Sequence, residues 1–318
     1  MYLKKLIIVL VITFAVCYAT GIFFDYRYKK NFATLFFNST DTLLDKSKNY
    51  DIILLGNSRV HFGMNPFYID SVTGLSSYNF GIGGSDAAML SLSTSLYLQN
   101  HPPPAFAVIG SDISFISANK AIQSLVHYLF YLSNDTIYNA LKKYNPSLVL
   151  ARYIPFLKYS FFDNYNRSFV FKEKKEFEKF EHNIYKGFIN PHHAGSGSTG
   201  INYVVNDEVT VVSKTSIEVL KETISKLKKG GTKIIIISPP LKKGISEAKK
   251  RKFEDADAIF KSIASENGSW FLNMNDMPVY EDKYFTDDLH LNEPGTKTFS
   301  TQVGLVLDSI VKGIKKAP

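Results

Sequence analysis

One short stretch of the sequence places a serine where it could act as a nucleophile. The stretch is LLGNSRVHFG, Leu54 to Gly63, and Ser58 comes directly after an apolar run that predicts a buried strand. A serine attacks an ester efficiently when a base takes its proton and nearby donors stabilise the oxyanion that forms. Ser58 is therefore either the nucleophile of such a site or a polar residue that closes a turn.

A candidate base lies near the C-terminus, in the stretch FTDDLHLNEPGTKTF. Asp287 precedes His290 by three residues there. A carboxylate at that spacing on a tight loop can fix the histidine tautomer and direct the other ring nitrogen at a hydroxyl. Asp288 is the rival for the role of Asp287. The pair is weak evidence alone and becomes specific in combination with Ser58 and a glycine turn.

That glycine turn is YNFGIGGSD, Tyr78 to Asp86, and it follows the second predicted strand. The backbone N–H groups of Ser58 and Gly84 are expected at neighbouring strand ends, where they can converge on one oxyanion. Such a turn can also hold a phosphate or serve packing alone. A dinucleotide site is disfavoured, because it needs the full glycine fingerprint and an acidic residue about 20 positions later.

Neighbouring polar residues allow other interpretations. Arg59 either binds an anionic substrate or pairs with a carboxylate. His61 could be a rival base, but it follows Ser58 so closely that we predict a structural role. His192 and His193 are adjacent on a predicted surface loop, where side chains tend to point apart, so we predict no metal site.

Strand-like and helix-like segments alternate along the chain after residue 50. This alternation predicts a parallel sheet covered by helices on both faces, with ligands bound beyond the carboxyl ends of the strands. The predicted strands are Ile52 to Leu55, Tyr78 to Phe80, Phe106 to Ile109, Lys233 to Ile237 and Trp270 to Leu272. The predicted helices are Ala87 to Gln99, Ser216 to Lys229, Ile245 to Ser265 and Pro294 to Ile314.

The alternation stops between residues 119 and 205. This segment holds 18 of the 45 aromatic residues, which makes it too apolar for a linker. We predict a mostly helical insertion over the active edge of the sheet, with a mobile loop at residues 194–200; an extension of the core is the alternative. The charged stretches 172–182 and 242–252 are predicted to be solvated helix faces.

The N-terminus predicts a membrane segment. Residues 6–24 carry no charge, and this uncharged segment is long enough to cross a bilayer as a helix. A cleaved signal peptide is the alternative. Lysine and arginine residues flank the segment on both sides, so orientation is weakly determined, and we favour an extracytoplasmic body. The net charge of +8 suggests an anionic neighbour such as phospholipid or an acidic polysaccharide. Cys17 is the only cysteine, which excludes an intrachain disulfide.

Over residues 50–119 and 205–314 the sequence resembles the SGNH/GDSL hydrolases. Their first motif is similar to Gly56-Asn57-Ser58, with asparagine in place of aspartate, their second to NFGIGG with Gly84, and their last to Asp287 and His290. The resemblance implies an α/β fold, a three-layer α/β/α sandwich with a five-stranded parallel sheet. It also implies an acyl-serine mechanism with Ser58, Asp287 and His290 as catalytic residues and no metal or organic cofactor.

The third motif of that family is altered in this chain. Its G-x-N-D is expected after the third strand, but the chain reads VIGSDISFIS, Val108 to Ser117, and Asp112 stands near the expected asparagine. Ser111 or a protonated Asp112 is then a candidate oxyanion donor, or the N–H groups of Ser58 and Gly84 suffice. The loss of one donor costs about 10² to 10³ in rate, so the change does not by itself abolish activity.

The chain looks most like the membrane-anchored branch of that family, because an N-terminal anchor and a G-x-x-P at Gly63 to Pro66 accompany these motifs. Members of this branch, such as alginate O-acetylation and D-alanyl-transfer proteins, work beside membrane-bound O-acyltransferases on envelope glycans, and no nucleic-acid partner is implied. We predict an anchor at residues 1–30 and an SGNH-like domain at 31–318. A non-catalytic glycan- or partner-binding module and a free-standing esterase or lipase are the alternatives.

Overall fold

A computed structural model describes residues 2–32, 38–118, 125–162, 184–190, 211–275 and 281–313 of the chain. The chain divides into two compact units. The first combines Met1–Thr40 with Leu125–Glu181, and the second combines Asp41–Ser124 with His182–Pro318.

The strands lie in the second unit and form a sheet and a hairpin. The described strands are β1 (Ile52–Leu55), β2 (Ser77–Asn79), β3 (Phe106–Gly110), β4 (Ile184–Tyr185), β5 (Phe188–Ile189), β6 (Lys233–Ser238) and β7 (Trp270–Asn273). Five of them form one sheet in the order β2-β1-β3-β6-β7, and every pairing in it is parallel. Strands β4 and β5 form a separate antiparallel hairpin.

Helices occur in both units. The described α-helices are α1 (Tyr2–Phe32), α2 (Asn38–Leu44), α3 (Ser58–His61), α4 (Pro66–Thr73), α5 (Ala87–Asn100), α6 (Val126–Leu129), α7 (Asp135–Tyr144), α8 (Leu148–Tyr153), α9 (Lys214–Lys229), α10 (Glu247–Glu266) and α11 (Glu293–Val311). Short 3₁₀ helices cover Ile113–Phe115, Pro155–Phe161 and Asp282–Tyr284.

The sheet is buried on both faces, as its continuous apolar strands require. Alternate residues of a strand point to opposite faces. On one face, Ile52 and Ile235 pack with α4 and α11 through residues such as Ile69 and Phe299. The residues of the other face are buried too, and α9 packs on β6 and on α5. The fold is therefore the α/β/α sandwich with a five-stranded parallel sheet that the sequence predicted.

The predicted elements of this sandwich agree with the observed ones to within three residues at either end, over the described residues. One helix of the sandwich, α4, was not predicted from the sequence. It begins after the cap Asn65, whose side chain accepts from the Phe67 N–H at 2.9 Å, and ends at Gly74, where φ is +69°. Its pairing with α11 closes one face of the sheet.

The first unit contains α1 and the helical part of the predicted insertion, α6 to α8. Within the described residues, α1 is the one helix that is long and apolar enough to cross a membrane, with a mean hydropathy of 2.6 over its 18-residue apolar stretch. A signal sequence meets the same criteria. The proposed position of the insertion and the domain boundaries stay predictions, and the features predicted at 172–182, 192–193 and 194–200 lie outside the described residues.

Candidate active site

The first element of the site is the turn that joins β1 to α3. Gly56 must be glycine here, because a Cβ atom would come within 2.2 Å of a Val60 methyl group. Asn57 caps α3, since its Oδ1 accepts from the Arg59 N–H at 3.1 Å. Ser58 is thereby the first residue of α3, at the carboxyl end of a central strand, and it is 8% exposed.

The C-terminal loop brings His290 to this serine. The His290 Nε2 lies 2.8 Å from the Ser58 Oγ, and its Nδ1 lies 2.7 Å from the Asp287 Oδ2. The three side chains therefore form a continuous hydrogen-bonded relay from residues 232 positions apart in sequence. This is the spatial relation that a serine nucleophile, its base and the orienting carboxylate require.

Backbone donors hold Asp287 in place. Its Oδ1 accepts from the N–H groups of Leu289 and His290, both at 2.8 Å. Partial burial raises the pKa of the Asp287 carboxyl, but the bond from His290, its charge and the two backbone donors outweigh burial, so the net pKa lies below its ordinary value. Asp287 thus remains charged and can stabilise a protonated His290.

The structure separates Asp287 from its rival. Asp288 points to α10, where its Oδ2 lies 3.0 Å from the Lys249 Nζ. Its backbone oxygen accepts from the Lys242 N–H at 3.2 Å. Of the two aspartates, Asp287 is therefore the one whose carboxylate is bonded to His290 in the structure.

The glycine turn lies against the same serine. The Ser85 N–H donates to the Ile82 oxygen at 3.0 Å, which closes a turn over Gly83 and Gly84. Gly84 has φ +72°, a conformation that a residue with a Cβ atom rarely adopts. A Cβ built on Gly83 would lie 3.9 Å from the Ser58 Cβ, so the turn passes beside the Ser58 side chain.

Two backbone donors are available in this region. Ser58 opens a helix, so its N–H has no acceptor within α3. Within the part of the chain that the structure describes, neither this N–H nor that of Gly84 donates to another residue. Both remain candidates for the oxyanion hole.

The third motif does not supply a further donor, which corrects one expectation. The Ser111 hydroxyl donates to the Asp257 Oδ1 at 2.6 Å and is 1% exposed. The Asp112 carboxylate is an acceptor: its Oδ1 takes the Ser114 N–H at 3.0 Å, and its Oδ2 lies 3.5 Å from the Arg59 Nη1. Ser111 donates to Asp257, and the Asp112 carboxylate faces Ser114 and Arg59, so the structure places neither side chain as an oxyanion donor.

Arg59 is also not placed for substrate binding. It is 4% exposed, and its Nη2 donates to the Pro239 oxygen while its Nη1 lies 3.5 Å from Asp112. The guanidinium carbon lies 4.8 Å from the centre of the Phe253 ring. Of the two alternatives for Arg59, the structure shows pairing with a carboxylate.

A buried polar network lies next to Arg59 and was not predicted from the sequence. Asp257 accepts from Ser111, and also from the Ser238 hydroxyl at 2.5 Å. Burial raises the pKa of the Asp257 carboxyl, and its bonds from both serines and the charge of Arg59 offset only part of that rise. Ser111 directly follows β3, and Ser238 is the last residue of β6. This position at the end of a strand is the one sequence signal that could have indicated such a network.

A second histidine, His61, follows Ser58 by three residues. His61 is 6% exposed and stacks on Phe62, with ring centres 4.7 Å apart, which agrees with a structural role. Among the residues that the structure describes, no three histidine, cysteine, aspartate or glutamate side chains are grouped so that they could hold a metal ion.

No protein-family model matches the chain, and no curated protein matches it. Several solved structures are similar to the chain. A lipase/acylhydrolase from Enterococcus faecalis is similar at 12% identity and a TM-score of 0.41, covering 85% of this chain and 99% of its own. A catalytic mutant of an acetylxylan esterase from Geobacillus stearothermophilus is similar at 11% identity and a TM-score of 0.43, covering 82% and 94%. A GDSL-like lipase from Bacteroides thetaiotaomicron is similar at 14% identity and a TM-score of 0.39, covering 88% and 98%.

Proposed function

We propose that this chain is a serine acyl-transfer enzyme, an esterase or O-acyltransferase that works through an acyl-Ser58 intermediate. The observation that carries the proposal is the relay of hydrogen bonds from Ser58 Oγ to His290 Nε2 at 2.8 Å and from His290 Nδ1 to Asp287 Oδ2 at 2.7 Å. A polar residue that only closes a turn needs neither partner.

The first half of the reaction forms the acyl-enzyme. His290 Nε2 takes the proton of Ser58 while the serine oxygen attacks the acyl carbonyl carbon, and Asp287 stabilises the imidazolium. The N–H groups of Ser58 and Gly84 bind the oxyanion of the tetrahedral intermediate. The intermediate collapses when the bond to the leaving alcohol breaks, and His290 returns the proton to that alcohol oxygen.

The second half transfers the acyl group. An incoming hydroxyl, from water or from a sugar, gives its proton to His290 and attacks the acyl carbon. The second intermediate collapses by breaking the bond to the Ser58 oxygen, which regains its proton from His290. Hydrolysis and transfer use the same residues and differ only in which hydroxyl reaches the acyl-enzyme.

The acceptor that we propose is an envelope polysaccharide, with the chain anchored by α1 and its body on the extracytoplasmic side. The apolar length of α1 suits a bilayer. The net charge of +8 suits an acidic glycan or an anionic membrane. A membrane-bound O-acyltransferase that supplies the acyl donor is the protein partner we propose, following the resemblance of the Gly56-Asn57-Ser58 and Gly63 to Pro66 motifs.

Turnover of 4-nitrophenyl acetate by the full-length protein in detergent tests the proposal. We expect release of 4-nitrophenol by the wild type and none above the buffer rate by Ser58→Ala. Added oligomannuronate or chitooligosaccharide should receive acetate, detected by mass spectrometry, if the enzyme is a transferase. Release without any transfer would instead indicate an esterase, and no release from a folded sample would contradict the enzymatic proposal.

A further inference from the structure

The end of α1 is fixed to residues 155–162 by a partly buried ion pair. Residues 6–24 are uncharged, and at 1.5 Å per residue this helix covers about the 30 Å of a hydrocarbon core. Asp25 comes next, and its carboxylate accepts from the Lys158 Nζ at 2.6 Å and from the Tyr159 hydroxyl at 2.8 Å. If α1 spans a bilayer, Lys158 and Tyr159 must therefore lie at the depth of its headgroups.

The last turns of α1 are part of the core of the first unit. Tyr28 is fully buried, and its ring stacks on Phe130 at 4.9 Å and meets the edge of Phe162 at 5.4 Å. Phe24 meets the Tyr159 ring at 5.9 Å. Removal of α1 would uncover these aromatic rings, so the folded unit favours a retained helix over a cleaved signal peptide.

Large apolar side chains of the same unit are exposed close to this junction. Leu150 and Tyr153 on α8 are 59% and 66% exposed. The helix joins the 3₁₀ helix of Lys158 directly, and the Ile154 N–H donates to the Leu150 oxygen at 2.9 Å. Tyrosine is favourable at a membrane interface, because its ring is buried there while its hydroxyl stays in contact with water. Leucine can bury its apolar side chain at the same place.

The charge around the junction has the sign that an anionic bilayer attracts. Residues 25–32 and 125–162 together carry seven lysines and arginines but two aspartates. Basic residues near an anionic bilayer surface are attracted to it electrostatically. The Lys29 Nζ lies 4.8 Å from the centre of the Tyr131 ring, so at least one of these positive charges is positioned by a contact within the first unit.

We infer that residues 125–162 form a membrane collar, a surface that rests on the anionic phospholipid headgroups where α1 leaves the bilayer, with Leu150 and Tyr153 inserted among them. The inference rests on the membrane anchoring proposed above and is independent of the catalytic relay. Lipid, and not a second protein, is the occupant, because the surface is continuous with the membrane-spanning helix.

Tryptophan fluorescence in vesicles tests the collar. Trp270, the only tryptophan, is replaced by phenylalanine, and Tyr153→Trp is introduced into the full chain. The protein is reconstituted into vesicles of phosphatidylglycerol and phosphatidylcholine whose acyl chains carry bromine either near the headgroup or near the chain end. We expect Tyr153→Trp to lose more emission to the shallow bromine than to the deep one.

Two matched variants in the same background separate the possible failures. Phe14→Trp, at the middle of α1, should lose more emission to the deep bromine, and Tyr185→Trp, an exposed tyrosine outside the first unit, should lose none. Quenching of Phe14→Trp without quenching of Tyr153→Trp would overturn the collar and leave the anchor intact. Equal quenching of Tyr153→Trp and Tyr185→Trp would overturn it as well, since adsorption would then be general. If Phe14→Trp shows no quenching, the anchor itself is refuted. Ester turnover by the same samples reports separately on the catalytic proposal.

Discussion

The two sides of the Ser58 turn use carboxylates in opposite ways. On the side of the C-terminal loop, the Asp287 side chain is 57% exposed, and its bonds to His290 keep its pKa below the ordinary value. On the side of the sheet, Asp257 accepts from two buried serines, and burial raises its pKa. The same functional group is kept charged on one side and is driven toward its neutral form on the other.

The difference shows how the surroundings assign a role. The proposed chemical step needs a charge that faces a histidine, and Asp287 supplies it from a solvated loop. The buried side holds the turn that carries Ser58, since Arg59 follows Ser58 directly and is fixed to Asp112 and to the Pro239 oxygen. We therefore expect changes on the loop side to affect rate and changes on the buried side to affect stability.

The largest effect is expected for Asp287→Asn. The amide removes the charge that stabilises protonated His290 and favours the wrong ring tautomer, so we expect kcat to fall by about 10⁴. Asp288→Asn is the matched control, because that carboxylate pairs with Lys249 instead of the histidine. Ester turnover by both variants checks the prediction; an equal loss in the two would refute the assignment of Asp287.

The next effect is a loss of stability in Arg59→Met. The substitution leaves Asp112 and the Pro239 oxygen buried without their partner, and breaking a buried pair costs about 3–5 kcal/mol. Arg152→Met is the control, because its partner Asp135 is 79% exposed and such pairs contribute about 0–1 kcal/mol. Urea unfolding of the full-length chain in detergent measures both. Similar losses would show that the arginine beside Ser58 has no special structural role.

The smallest effect is a change in the shape of the stability–pH curve. The folded-state pKa of Asp287 is below its ordinary 3.8, so its contribution is present above that pH and is lost as the pH falls through the lowered value. The folded-state pKa of Asp257 is above 3.8, so the folded chain loses stability as the pH rises from 3.8 through the raised value. Asp287→Asn should remove the first slope and Asp257→Asn the second.

Urea-unfolding midpoints across the acid range check these opposite signs, with the wild type as the reference. The comparison between the two sides fails if both substitutions change the slope in the same direction. It also fails if Asp257→Asn leaves the curve unchanged, because Asp257 would then have no raised pKa in the folded chain.

Much of the sandwich and of the relay could be predicted from the sequence, for a physical reason. Parallel strands buried on both faces read as short apolar runs, and the polar residues that follow them gather at one edge of the sheet. Ser58 and the glycine turn are of this kind. His290 with Asp287 is a local pair whose spacing alone allows the bond.

The buried side of the site could not be predicted in the same way. Arg59 is bound by the oxygen of Pro239 and lies on the ring of Phe253, which are about 180 or more positions away in sequence. Asp257 lies on α10, a helix rich in charged residues, where an aspartate is typical of a solvated face. Pairing at such distances depends on the tertiary fold, so residue type and local spacing do not identify the partners.

The proposed acyl-serine mechanism requires that Ser58 is a nucleophile and that His290 activates it. Mass spectrometry of the full-length protein after treatment with a fluorophosphonate measures this, with Ser58→Ala and His290→Ala as companions. We predict a single adduct on Ser58 in the wild type, none in Ser58→Ala and a strongly reduced yield in His290→Ala. A folded wild-type sample that forms no adduct, or one labelled equally without His290, would contradict the acyl-serine mechanism.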